Sequence, residues 1–346
     1  MARPWCPPTL LGMLSGVVAT AMAQAPPVIS EQSAGVRTHI QALHAVDTAV
    51  VWGAGPKGVV LRTRNGGATW ELRPTPSGDS LAFRDVHAVN ADTAWVLAIG
   101  NGRASRVYGT TDGGAHWTLQ FLNTDSAAFY DCLSFGSPRD GLVFGDAAHG
   151  RTQLLRTRDG RTWTPITGAP APLEGEGAFA ASGQCLVHGD ARTAYVATGA
   201  PQARLLRSLD GGTSWEVRDT PLVRGAAAGL TGLAFDGPKR GIAVAANIGR
   251  LRTDTAAAVV GITVDGGDTW TLRQRPPLPG ALAGVAWVPG AGSETAVVVG
   301  YGGAFHTRDG GRSWTVITDR VMTGVTSAGR SAWLSGADGR VLHLRW

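Results

Sequence analysis

The sequence predicts an all-β chain whose strands close into one ring, and three observations carry that prediction. Glycine supplies 49 of the 346 residues, about twice its usual share. Twelve tryptophans stand beside only 4 tyrosines and 4 methionines. One short turn motif recurs six times, each copy closed by a tryptophan. Many tight turns, each with a large anchor beside it, describe antiparallel sheet rather than helix. Hydrophobic residues make up 43% of the chain, enough for a sizeable core and against disorder. The glycines show no period of three, which excludes collagen.

The first segment is read as a leader. Arg3 is the only charge in the first 30 residues, and an apolar stretch from Thr9 leads to Ala21-Met22-Ala23, a small-x-small cleavage signature. Residues 1–23 are therefore expected to be a signal peptide, and 24–346 the mature chain, periplasmic or secreted. The stretch is short for a membrane span, which needs ~20 apolar residues, and no later segment qualifies. Cys6 falls in the leader. Cys132 and Cys185 remain; export permits a disulfide, while a fold of this size does not require one, so bridged and free thiols both stand open.

The repeat sets the architecture. TRNGGATW ends at Trp70, TTDGGAHW at Trp117, TRDGRTW at Trp163, SLDGGTSW at Trp215, TVDGGDTW at Trp270 and TRDGGRSW at Trp314. Asp-Gly and Asn-Gly favour the positive-φ conformations of a tight hairpin. The side chains of Asn65, Asp112, Asp159, Asp210, Asp265 and Asp309, with the Ser/Thr hydroxyl two residues earlier, can satisfy the turn's amides locally. The tryptophan then opens the return strand and can wedge against the neighbouring unit. Short apolar runs upstream supply the other strands: FRDVHAV, TAWVLAIG and RVYGTT precede the second turn, and HWTLQFL follows it. Four strands in about 45 residues is one blade of a β-propeller.

Six motifs close six blades. A seventh begins near Met322 with three strands, and Asp338 sits in its middle turn, equivalent to GAGPKG in the first blade and GYGG in the sixth. The missing outer strand is expected from PPVISEQS at the mature N-terminus. This pairing closes the ring and removes an exposed edge. The expectation is seven blades, with six or eight as alternatives.

The motif resembles the Asp box of bacterial neuraminidase (BNR) repeats in the WD/YVTN/BNR-like propeller superfamily. With FRDVHAV, AFYDCLSF…GLVFGD, GEGAFAASG and WLSGADGRVLHL, the mature chain also resembles a bacterial family related to the photosystem II stability/assembly factor, often labelled oxidoreductase. The resemblance implies fold throughout the mature chain. It places Arg84, Asp131, Asp146 and Glu176 on that family's characteristic segments. Blade five departs from it, with a long AANIGRLRTDTAAAV that carries no acidic GGD of its own.

The sites of chemistry are weighed next. Gly53–Gly58 spell G-x-G-x-x-G, yet a β-branched strand follows where a dinucleotide site needs a helix; the reading is a hairpin, and NAD and flavin are rejected. Sialidase chemistry lacks its early RIP arginine motif. Other glycosidases need two carboxylates about 5–9.5 Å apart; the candidates are Glu174 with Glu176, and Asp131 with Asp146. The eight histidines show neither H-x-H nor H-E-x-x-H spacing, and no metal or other cofactor is expected. The net charge of +5, +4 without Arg3, is dispersed: the only adjacent basic pair is Lys239-Arg240, so no nucleic acid is expected.

Propeller geometry directs the search to the channel rim, where first strands open. The candidates are Arg84, Asp85, Tyr130, Asp131 and Glu176, joined by Asp146 and Arg207 if their turns reach the same face. The expected function is a monomeric, non-catalytic binding or assembly module displaying a polar rim site for a protein or small ligand. The alternative is a glycan-active hydrolase using Glu176 with Asp131 or Asp146.

Overall fold

The computed structural model describes residues 1–2, 25–76 and 78–346. The expected leader, with its cleavage site after Ala23, falls almost wholly outside the described residues. The described chain forms seven four-stranded antiparallel sheets. Blade one holds Ala42–Ala45, Val51–Ala54, Val60–Thr63 and Glu71–Arg73. Blade two holds Ala82–Ala88, Ala94–Ile99, Arg106–Thr110 and Thr118–Leu122, and blade three Tyr130–Phe135, Gly141–Ala148, Arg151–Thr157 and Thr164–Pro165. Blade four holds Leu186–His188, Ala194–Ala197, Arg204–Ser208 and Glu216–Asp219, and blade five Ala228–Asp236, Arg240–Asn247, Val260–Thr263 and Thr271–Leu272. Blade six holds Leu282–Trp287, Ala296–Gly300, Gly303–Thr307 and Thr315–Thr318. Blade seven takes Met322–Ala328, Ser331–Gly336 and Arg340–Arg345 from the C-terminus, and Val28–Ser33 from the N-terminus.

That last pairing is the expected closure. Val28 lies opposite Arg345 and Ser33 opposite Arg340, an unbroken antiparallel register. First strands of successive blades pack side by side, and that of blade seven packs on blade one, so the ring has no gap. The inner strands of each blade are buried, as in Val51–Ala54, whereas outer strands such as Thr118–Leu122 are half-buried or exposed. The core therefore lies between blades. Among the described residues, no helix is long and apolar enough to cross a membrane.

Large second-strand aromatics tie neighbours together. Trp52 donates its indole N–H to Asn90 O, Trp95 to Gly160 O and Trp333 to Gly66 O, each in the next blade, and the Tyr195 hydroxyl donates to Pro238 O. The turn tryptophans wedge as expected: Trp117 meets Trp52 edge-on at 6.3 Å, across the blade boundary. The six repeated turns satisfy themselves locally. Thr110 donates to Asp112 Oδ1 at 2.9 Å, while the Gly114 amide donates to Thr110 Oγ1 and the His116 amide to Asp112 Oδ1. In the shortened third copy, Asp159 Oδ1 receives the amides of Arg161 and Thr162 instead. Gly53–Gly58 runs from one strand through a turn into the next, with Lys57 and Gly58 at positive φ, and is a hairpin as expected.

Cys132 and Cys185 form a disulfide, with Cα atoms 5.9 Å apart. It joins the first strand of blade three to the segment entering blade four, deciding the choice the sequence left open.

Candidate functional site

The channel-facing residues are placed by a recurring irregularity. In five blades the register of the first strand slips by one residue: at Arg84, Asp131, Thr231, Ala283 and Thr323. A bulge of this kind leaves one residue outside the ladder and re-aims its side chain. Four of these residues, Arg84, Asp131, Thr231 and Ala283, line one pocket at the channel mouth.

The channel beneath is filled by the chain itself. Residues 178–184, between the last strand of blade three and the first of blade four, cross the ring. The Ala180 carbonyl accepts from Arg84 Nη1 at 3.2 Å, and the Ala181 carbonyl accepts from Gln41 Nε2. Gln184 reaches the opposite side, donating to Val285 O and Val325 O and accepting from the Val285 amide. Gly183 makes the crossing possible. Its φ is +78°, and a Cβ there would lie 2.6 Å from Asp85 Oδ1.

This plug divides the channel into two chambers. The chamber at the repeated-turn face, about 340 Å³, is lined by His44, His87 and His188 together with Phe135, Phe235 and Trp287. The His44 and His87 rings are 4.1 Å apart, and His188 Nδ1 lies 2.9 Å from Ser134 Oγ. Burial holds His44 and His188 down to about 4, and His87 well below its ordinary value, so all three are neutral at pH 7.

The pocket at the opposite face has a similar volume, about 340 Å³, within the range of small-molecule sites. Arg84, Asp131, Asp146, Thr231 and Tyr301 supply its polar side chains; Phe129, Phe179, Ile248, Leu251 and Leu282 supply apolar wall. The Asp131 and Asp146 carboxyls are in hydrogen-bond contact. Asp131 is 2% exposed, and among the described residues no donor group supplies a hydrogen bond to its Oδ2. Burial, then the charge of Asp146, pushes Asp131 well above the usual carboxylate range, with Arg84 pulling the other way. Asp146 is also raised, by burial first, although the Ala178 amide donates to its Oδ1 at 2.9 Å. Burial lowers Arg84 from its usual value, with Tyr301 and Asp131 opposing; it remains a cation.

Four other expected rim residues lie elsewhere. Asp85 is buried between blades two and three, where its carboxylate accepts the amides of Val86 at 2.7 Å and Leu133 at 2.6 Å. Glu176 is 8% exposed and held in a clamp. Its Oε1 accepts from Arg204 Nε at 2.7 Å and from Thr198 Oγ1 at 2.6 Å; its Oε2 accepts from the Leu173 amide and Arg204 Nη2. Arg207 sits at the other end of its strand, paired with Glu216 and Asp268 beside the blade-five turn. Tyr130 is buried against Phe121, its ring centroid 5.1 Å away. Glu174 is exposed on the loop before the clamp. The sequence reading missed Phe129, Phe179, Tyr301, Ile248 and Leu251. The last two come from the long blade-five insertion, whose paired large aliphatics were the available signal.

No family model matches the chain, and no curated protein matches it. Solved structures do. YCF48 bound to a D1 peptide is similar at 16% identity and a TM-score of 0.63, over 94% of this chain and 99% of that one. The GH74 xyloglucanase of Xanthomonas campestris is similar at 14% identity and 0.64, over 90% of this chain but 53% of the larger enzyme, about half its length. Virginiamycin B lyase of Staphylococcus aureus is similar at 12% and 0.67, over 92% and 99%. At these identities the likeness is one of fold. The expected resemblance to photosystem II assembly-factor propellers holds at that level.

Proposed function

We infer that this chain is an exported, monomeric binding module whose ring holds the Arg84–Asp131–Asp146 pocket rigid for a peptide segment of a partner protein. The observation that carries the reading is the pocket's composition: one cation, a buried acid pair and an apolar wall, drawn from several blades. Such a site fixes a ligand by a few polar contacts inside an apolar surround. A propeller of the same fold has been seen with a peptide bound, which supports the class of partner.

The hydrolase alternative draws support from the GH74 neighbour but not from the carboxylates. Glu176 has its oxygens occupied by Arg204, Thr198 and Leu173. Asp131 and Asp146 touch, whereas glycosidase pairs stand about 5 Å apart or more. The test pairs two measurements on the mature protein. A random peptide pool is bound to immobilised wild type and to Arg84→Ala and Leu251→Glu variants, and an aryl-glycoside panel is assayed for turnover. Peptide retention lost in both variants, with no turnover, is the expected result. Glycoside turnover abolished by Asp131→Asn would overturn it.

A further inference from the structure

We propose that the pocket takes the free N-terminus of a peptide beginning with an apolar residue: the ammonium between the Asp131 and Asp146 carboxyls, the first side chain against Phe179, Ile248 and Leu251, and the first carbonyl toward Arg84. The proposal rests on the binding reading above and names the ligand group.

Two features carry it. Asp131 Oδ2 is sealed from solvent with no donor supplied by the described residues, although Asp131 lines the pocket. Buried polar atoms normally have a partner, so one left open at a pocket wall points to a ligand donor. Charge sets the kind of donor. The groups facing the pair are Arg84 and Tyr301, so two carboxyls stand against one guanidinium. An ammonium supplies the second cation that two carboxylates call for. A carboxylate ligand would bring a third negative group beside the pair, which like-charge repulsion opposes. Arg84 Nη1 donates to Ala180 O, and the guanidinium retains other donors for a carbonyl. Ile248 and Leu251 are 37% and 39% exposed, an apolar surface continuous with the acid pair.

The test uses the mature chain at pH 7 and lysine-free peptides with leucine first, in three forms: free, N-acetylated and C-amidated. Hydrogen bonds to charged groups are worth about 1.5–3 kcal/mol, so acetylation is expected to weaken binding roughly tenfold to a hundredfold. Amidation of the far end should change nothing. Equal affinity of free and acetylated peptides overturns the proposal. If both bind equally and the exposed-site variant Leu251→Glu abolishes both, the pocket reading survives and only the ammonium assignment falls. Absent binding of every form, or binding indifferent to Leu251→Glu, removes the pocket reading as well. Asp131→Asn, if folded, should weaken the free peptide alone; if it does not fold, the peptide arms on wild type decide.

Discussion

Replacing Glu176 by glutamine tests whether this carboxylate is structural or chemical. The clamp places Glu176 and Arg204 almost wholly out of solvent, with side-chain exposures of 5% and 10%. Four donors converge on the two oxygens: Arg204 Nε and Nη2, Thr198 Oγ1 and the Leu173 amide. Glutamine keeps the shape, but its amide can accept at one end only. Its NH₂ group would face a second donor set, either the Leu173 amide and Arg204 Nη2 or the Thr198 hydroxyl and Arg204 Nε. The guanidinium is also left as a buried, uncompensated charge. Breaking a buried pair from one side typically costs about 3–5 kcal/mol. Glu176→Gln should therefore lower stability by about 3 kcal/mol in urea unfolding followed by tryptophan fluorescence. Arg204→Met should cost a similar amount, and the double variant less than the two combined, because the contact is lost only once. The reasoning fails if Glu176→Gln unfolds within about 0.5 kcal/mol of wild type or if the two changes are additive.

Three further outcomes are expected. Gly183→Ala should destabilise the protein by about 2 kcal/mol or more, because φ is +78° and the new methyl meets an Asp85 carboxylate already fixed by two amides; wild-type stability would show that the plug can shift. Removing residues 24–33 should lower the melting temperature by several degrees and cause association visible by light scattering, since the Arg340–Arg345 strand loses its partner. An unchanged monomer would mean that the ring closes without this strand. The third concerns acid. Burial depresses His188 to about 4 in the folded chain, so its contribution is complete above the unfolded value near 6.5 and lost as pH falls from there toward 4. Between pH 7.5 and 5 the loss is up to about 2 kcal/mol, and the same pH step in His188→Gln should cost less by that amount. Parallel pH profiles for the two proteins would show that His188 is already solvated.

The repeated turn was legible because its signals are local. Asp-Gly and Asn-Gly turns, the hydroxyl two residues earlier and the closing tryptophan interact within eight residues. Their hydrogen bonds therefore follow from chain geometry alone. The terminal pairing was legible for a different reason: seven blades need 28 strands, and three strands after the sixth blade leave only the N-terminal run to complete the last sheet.

Of the seven expected rim residues, Arg84, Asp131 and Asp146 meet in one pocket, while Asp85, Tyr130, Glu176 and Arg207 are taken up by packing and ion pairs. Asp85 and Arg84 are adjacent in sequence, and only the bulge decides that one faces the pocket and the other the blade interface. A one-residue slip reverses the direction of a strand side chain, and nothing in FRDVHAV marks the slip. The Arg204 clamp likewise joins residues 28 positions apart, a contact no spacing rule supplies.

By itself the sequence determined the ring, its blade count, its closure and the hairpin character of its only nucleotide-like motif. Each of these is a local or additive property, repeated until it is unambiguous. Tertiary structure alone decided the Cys132–Cys185 bond, the plug across the channel and which carboxylates face a ligand. Those depend on side-chain direction and on contacts between blades, where a shift of one residue or a few ångströms changes which groups meet.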